Sequence, residues 1–374
     1  MLFFLAVLCL NSCQTNPSYD NALEAALASK DERITRVMDS LDRHEIQIRF
    51  TQVDTSDGKL ILTDHDFQVN ENNYFYPAST VKFPAALATL EKLNELDSLD
   101  RTTRFFIEGD SIETSFKRAI EEIFAVSDNE ANNRLVEFLG FDGLNQRIAS
   151  RVGKPIRISH RLSTSNADDV TTKPLVLYAS DSSTVVSEAI INTPVAPLSL
   201  NKIEKGMGFY AGDSLHQEPF NFELKNYYPI STQHEVLKRV VFPDQFPSEE
   251  QFNISEEQHQ FLLKTMSSLP YELGYDRETY YDSYVKFFLY GDMEDPMPSS
   301  IKIYNKVGYA YGTLTDCAYI KDTENNVAFL LTATILVNKD GIFNDDNYEY
   351  DSVGIPFLAQ LGREIYQFEL ARKK

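Results

Sequence analysis

Three short groups of residues combine side chains that can do chemistry together. The first is Ser79-Thr80-Val81-Lys82, preceded by Tyr76-Pro77-Ala78. The second is Ser127-Asp128-Asn129, and the third is Lys306-Val307-Gly308. A serine hydroxyl is a poor nucleophile until a nearby base takes its proton. Lys82 lies three positions beyond Ser79, on the same face of a helix and within reach of that hydroxyl. To act as a base it must have its pKa lowered from about 10.4, by burial or by a neighbouring cation such as Lys306. Ser79 at a helix start also gains from the helix dipole, which stabilises developing negative charge. Pro84 is compatible with that first turn, where its missing N–H has no partner to lose. Taken singly, each group has a plain structural reading. Ser79 can be a helix cap and Lys82 a solvated side chain, and Asp128 or Asn129 can cap a helix running on from Glu130. Lys-Val-Gly alone says almost nothing. The three in this order, on suitable elements, are far more specific.

The elements that must position them can be read from periodicity. Leu27, Ile34, Val37, Met38 and Leu41 predict an amphipathic helix of about 20 residues. Ile46–Phe50 alternates as a strand, Asp54–Gly58 is a turn, and Leu60–Leu62 returns as the second strand of a hairpin. From Ser79 to Pro298 the helical period dominates, most clearly over Val81–Leu93, Thr114–Phe124 and Ser255–Ser267. The last of these opens with a capping-box pattern. Residues 185–250 show no clear organisation. After Pro298 strands return at Ile301–Tyr304, Asp316–Lys321 and Val327–Val337, and a final helix opens at Pro356. The fold class this predicts is α+β. An antiparallel sheet of about five strands is flanked by terminal helices, with an all-α lobe inserted. The expected division is an α/β lobe of residues 22–78 and 299–374 and a helical lobe of 79–298, together one catalytic domain, 22–374.

The chain has 374 residues and a formal net charge of −21. That acidity argues against nucleic acid as a partner, since such binding relies on Lys and Arg neutralising phosphates. The motifs make the site itself basic through Lys82 and Lys306. The acid is therefore expected elsewhere, mostly in the helical insert and the tail before Pro356. The apolar start, residues 1–12, is too short to span a membrane and fits a signal peptide. Leu10-Asn11-Ser12-Cys13 resembles the bacterial lipobox, which implies lipidation at Cys13, with residues 13–21 as a tether. Lipid anchoring in the cell envelope, on the periplasmic side or the outer membrane, is the expected location. Beyond Cys9 and Cys13 only Cys317 remains, so the folded part has no internal disulfide. The histidines are scattered singly and no zinc spacing occurs, so neither a metal nor a cofactor is expected.

Ser-x-x-Lys, Ser-Asp-Asn and Lys-Thr-Gly form the signature set of class A β-lactamases and penicillin-binding proteins. The sequence resembles that superfamily, class A β-lactamases most closely, from about Ala22 to the C-terminus. Asp169–Pro174 looks like the end of the family's omega loop, and Tyr311–Asp316 like the segment after its third motif. The resemblance implies a catalytic set of Ser79, Lys82, Ser127 and Lys306. It puts an oxyanion hole at the backbone N–H groups of Ser79 and Tyr309, and substrate binding at Asn129, Val307 and Gly308. Ser127 would relay a proton to the leaving nitrogen, and Asn129 would hold the substrate amide.

The sequence departs from the family in three places. The omega-loop Glu that activates the deacylating water is missing from Arg157–Asp169, where His160 or Asp168 are the candidate substitutes and Asp169 is expected to close the loop. Val307 stands where the family has a Thr or Ser whose hydroxyl binds the substrate carboxylate, and Leu314 occupies the region of its carboxylate-binding Arg. Finally, Ser127 and Lys306 are unusually far apart. The extra residues, within 176–290, include Phe209, Tyr210, Phe220, Phe222, Tyr227 and Tyr228, which suit either a lid or further packing of the lobe.

The expected function is that of a β-lactamase-type serine hydrolase forming an acyl-enzyme on Ser79; the alternatives are a slowly deacylating penicillin-binding D-Ala-D-Ala peptidase or esterase, and a non-catalytic envelope lipoprotein. The expected ligand is a small β-lactam or peptidoglycan-like molecule, and the expected state is a monomer.

Overall fold

A computed structural model describes residues 19–180 and 182–373. The leader and Cys13 lie outside the described residues. Five antiparallel strands form the main sheet, in the spatial order Ile301–Ala310, Thr313–Asp322, Val327–Leu336, Gln47–Ser56, Lys59–Phe67. The N-terminal hairpin thus joins the C-terminal strands through the pairing Gln47↔Thr334 to Gln52↔Phe329. Its turn is tight because Asp57 and Gly58 both take positive φ, 52° and 74°. Two consecutive positive-φ residues give the turn whose twist matches a hairpin.

Alternation along Gln47–Ser56 gives the sheet two buried faces. Ile48 and Phe50 point into a core shared with the helices Ala22–Leu27, Glu32–Met38 and Ile355–Lys373. Val53 joins a second core on the opposite face, dominated by the helical lobe. The single N-terminal helix predicted from periodicity is in fact three short ones, ending with Leu41–His44. Local side-chain bonds break it. The Asp31 carboxylate accepts from the Arg33 backbone N–H at 2.9 Å and from the Arg33 guanidinium, starting a new helix at Glu32.

In the helical lobe, Lys82–Asn94 is buried on nearly every side by Phe116–Ala125, Asn129–Leu139 and Phe141–Val152. The lobe is not purely helical. Arg104–Ile107, Thr114–Ser115, Leu175–Ser180 and Ser183–Val186 form a four-stranded sheet on it. The predicted helix at Thr114 therefore begins at Phe116, after Ser115, whose hydroxyl caps it from the Arg118 N–H. Glu256–Ser267 carries the expected capping box on Ser255 and Gln258. Most of the aromatic excess in the long insert is packing. Phe222 and Tyr227 form a third core with Tyr74, Tyr76 and Phe343, and Phe209 and Phe220 lean on it.

Candidate active site

Ser79 sits in a tight turn, Ala78–Val81, that runs directly into the helix Lys82–Asn94. The turn is strained at its entry, with Ala78 at φ 48°. The strand Ile301–Ala310 presses against it at Gly308. A Cβ there would meet Pro77 O at 2.7 Å and the Ser79 and Thr80 backbone nitrogens at 2.8 Å. Only glycine lets the third motif approach the first this closely. Ser79, Asn129 and Tyr309 line one cavity of about 470 Å³.

Beneath that cavity the two lysines converge on Ser127, a residue at φ 57°. The Lys82 ammonium donates to the Ser127 carbonyl, to Ser127 Oγ at 3.3 Å and to Asn129 Oδ1 at 2.7 Å. Lys306 Nζ donates to Ser127 Oγ at 2.8 Å and to the Val307 carbonyl at 2.7 Å. The three motifs therefore meet as one hydrogen-bonded unit. The expected direct link differs: Lys82 binds Ser127 and Asn129, not the Ser79 hydroxyl. Asp128, not Asn129, is the helix cap, accepting from the Ala131 N–H at 2.7 Å. This leaves the Asn129 side chain for the site.

Burial sets the protonation of this unit. Lys82 is fully buried, and loss of hydration brings its pKa down to about 7. Lys306 is pushed well below the ordinary lysine value, first by burial and then by repulsion from Lys82. Behind Lys306 lies a polar layer that the sequence reading did not identify. Lys286 Nζ donates to Asn305 Oδ1 at 2.7 Å, and Asn305 Nδ2 donates to Asp316 Oδ1 at 2.8 Å. Burial raises Asp316 to about 6 and lowers Lys286 to about 7. Lys286 lies in irregular chain, so no period marked it.

The loop on the other side is held by Arg161. Its guanidinium forms a buried pair with Glu137 at 2.6 and 2.9 Å and binds the carbonyls of Asp169 and Thr171. Asp169 closes the loop through its backbone, while its carboxylate is exposed. His160 lines the cavity and stacks on Tyr76, with ring planes 6° apart. Its Nδ1 faces the Arg161 carbonyl at 2.7 Å, so Nδ1 carries the hydrogen and Nε2 holds a lone pair. Among the described residues Nε2 is buried without a partner. Burial brings His160 down to about 4, so it is neutral at pH 7. Asp168 is exposed and does not line the cavity. Ser163 does line it, and its hydroxyl accepts from Asn129 Nδ2 at 3.0 Å.

Val307 is a correction. Strand alternation sends its side chain into the terminal-helix core, while Lys306 and Gly308 face the site. It does not line the cavity. Two charged residues that the sequence reading passed over do line it. Lys225 comes from the long insert, and Asp346 from the acidic segment before Pro356. The negative charge expected far from the site therefore reaches its rim.

Residues 29–191, less than half of the chain but including the first two motifs, match the sequence model of the β-lactamase enzyme family. No curated protein sequence matches. Among solved structures, a β-lactamase from Sphaerobacter thermophilus DSM 20745 aligns with TM-score 0.52 at 13% identity, covering 93% of this chain and 96% of that one. A β-lactamase from Xanthomonas campestris pv. campestris str. ATCC 33913 gives 0.51 at 16% identity, covering 93% and 98%. L2 complexed with relebactam gives 0.52 at 13% identity, also covering 93% and 98%. The fold is that of the β-lactamases, as the three motifs imply, and the segment holding Ser79 and Ser127 carries the sequence likeness.

Proposed function

We propose that the protein is a β-lactamase-type serine hydrolase that forms an acyl-enzyme on Ser79. The observation that carries this reading is the Ser127 hydroxyl, held between two buried lysines under the Ser79 cavity. With its pKa near 7, much of Lys82 is neutral at pH 7 and can accept a proton. Ser79 Oγ attacks the substrate carbonyl carbon as its proton leaves toward Lys82, relayed by a hydroxyl or water. The carbonyl π electrons move to oxygen, which the Ser79 and Tyr309 N–H groups are suited to hold, at about 3–4 kcal/mol per donor. The C–N bond then breaks, and Ser127 delivers a proton to the leaving nitrogen.

Release of the acyl group needs water and a base. His160 Nε2 is the candidate base, since it holds a lone pair and has no partner among the described residues; it is closed to solvent, so a water reaches it only if the loop shifts. A pKa of about 4 gives His160 the basicity of an ordinary glutamate. The second reading is a slowly deacylating, penicillin-binding-type enzyme, and the pairing of Ser163 with Asn129, with no loop carboxylate in the cavity lining, favours it.

Intact-mass measurement after exposure to a penicillin and a cephalosporin separates these. Product without accumulated adduct supports the hydrolase, and a stable adduct absent in Ser79→Ala supports the second reading. Neither adduct nor turnover with any ester or amide tried would sink both.

A further inference from the structure

The cavity needs a way to recognise charge, and the third motif does not supply one. Val307 is packed in the core, and Lys82 and Lys306 are buried beneath the cavity floor with their bonds committed to Ser127 and its neighbours. Arg161, a cation in the lining, is paired with Glu137, and His160 is neutral. Lys225 is different. It lines the same cavity as Ser79, and among the described residues its ammonium has neither an ion pair nor a hydrogen-bond partner.

Its backbone is nevertheless firmly set. The Arg157 guanidinium donates to the carbonyls of Ala196 at 2.6 Å, Glu223 at 2.8 Å and Lys225 at 2.5 Å. The next residue, Asn226, is buried and accepts from the Ser159 and His160 N–H groups at 2.8 and 3.3 Å. The Lys225 N–H donates to the Phe222 carbonyl, and the Phe222 ring is sunk in the third core. A firmly held strap thus places Lys225, whose ammonium has no partner among the described residues, in the wall of the cavity. An ordered backbone with an uncommitted charge at its tip is preorganised to bind an anion.

We propose that the acyl substrate carries a carboxylate that binds Lys225, so that carboxylate recognition lies on the inserted strap instead of the third-motif strand. The proposal rests on Ser79 being an acylating nucleophile.

The test compares benzylpenicillin with its methyl ester, in which the carboxylate is capped by a methyl group and carries no charge. The ratio of their Ser79 acylation rates is read by intact mass in the wild type, Lys225→Arg, Lys225→Met and Lys225→Glu. A charge-assisted bond predicts a preference of about tenfold or more for the free acid. That ratio is kept in Lys225→Arg, collapses toward one in Lys225→Met, and inverts in Lys225→Glu. A wild-type ratio retained in Lys225→Met overturns the proposal.

If neither probe acylates Ser79, it is the hydrolase reading that fails. The Lys225 inference is then read separately, by calorimetric binding of benzylpenicillin to Ser79→Ala with and without Lys225→Met. Affinity weakened about tenfold in the double variant, with a salt dependence lost alongside it, supports the anchor. Equal affinities, or no binding to either, overturn it.

Discussion

The floor and the loop wall of the cavity are built on opposite plans. In the floor, Lys82, Ser127, Asn129 and Lys306 bind one another, and buried Lys286, Asn305 and Asp316 support them from behind. On the loop wall, Arg161 ties down the backbone while two polar groups of lining residues are left unpaired. His160 Nε2 has no partner, and Lys225 has no counter-ion among the described residues. A saturated cluster fixes geometry and protonation, which a bond-making step requires. Open groups on a fixed backbone suit water and substrate, whose identity can change without disturbing the cluster. The contrast divides the proposed reaction in two, with acylation residing in the floor and release and recognition in the wall.

The largest expected effect comes from breaking the floor. Lys82→Ala removes the proposed base and should slow acylation by about 10²–10⁴-fold, measured by intact mass under single-turnover conditions. The wild-type rate should rise with pH through a midpoint near 7, because only the neutral amine accepts a proton. A rate still climbing at pH 9 would mean that Lys82 keeps an ordinary lysine pKa.

A smaller effect comes from pushing floor and nucleophile apart. Gly308→Ala places a methyl group 2.7–2.8 Å from the Ser79 turn. A displacement of that turn should cost about 10²-fold in acylation, with a small loss in thermal midpoint. Unchanged acylation would mean that the strand, not the nucleophile, gives way.

The smallest effect belongs to the wall. His160→Phe should lower deacylation relative to acylation by about tenfold, seen as a longer-lived adduct. Deacylation in the wild type should be flat from pH 5 to 9, since His160 is already neutral above about 4, and should fall as pH drops through that value. Equal slowing of both steps in His160→Phe would show a collapsed loop and not a missing base.

Much of this site was legible from short motifs because each is a local pattern tied to an element start. Ser79 begins a helix, Ser127 precedes a capped one, and Lys306 lies on an alternating strand. The hairpin was legible from Asp57-Gly58, and the sheet from alternation after Pro298. What escaped was non-local or subtle. Lys225 is brought to the cavity by a strap that Arg157, far away in sequence, helps to gather. Lys286 and Asp316 meet across irregular chain through Asn305. The broken N-terminal helix kept its apolar spacing across the break, so the period alone could not reveal it. Val307 is a fault of a different kind, since strict strand alternation already put its side chain on the opposite face from Lys306.

The pairing of the chain's two ends has a consequence for how the protein is made. Gln47–Ser56 joins the C-terminal strands through Val327–Leu336, and Ala22–Leu27 packs on Ile355–Lys373, with Ser29 Oγ donating to Glu364 at 2.8 Å. Contacts this distant in sequence form slowly, after long loops have closed. The residues of the helices around Ser79 are made first, and Lys306 follows only when the strand Ile301–Ala310 has been synthesised. Chains cut before that strand therefore carry Ser79 and Ser127 without the lysine that completes their cluster. Assembly of the cluster requires that synthesis has passed the strand that carries Lys306.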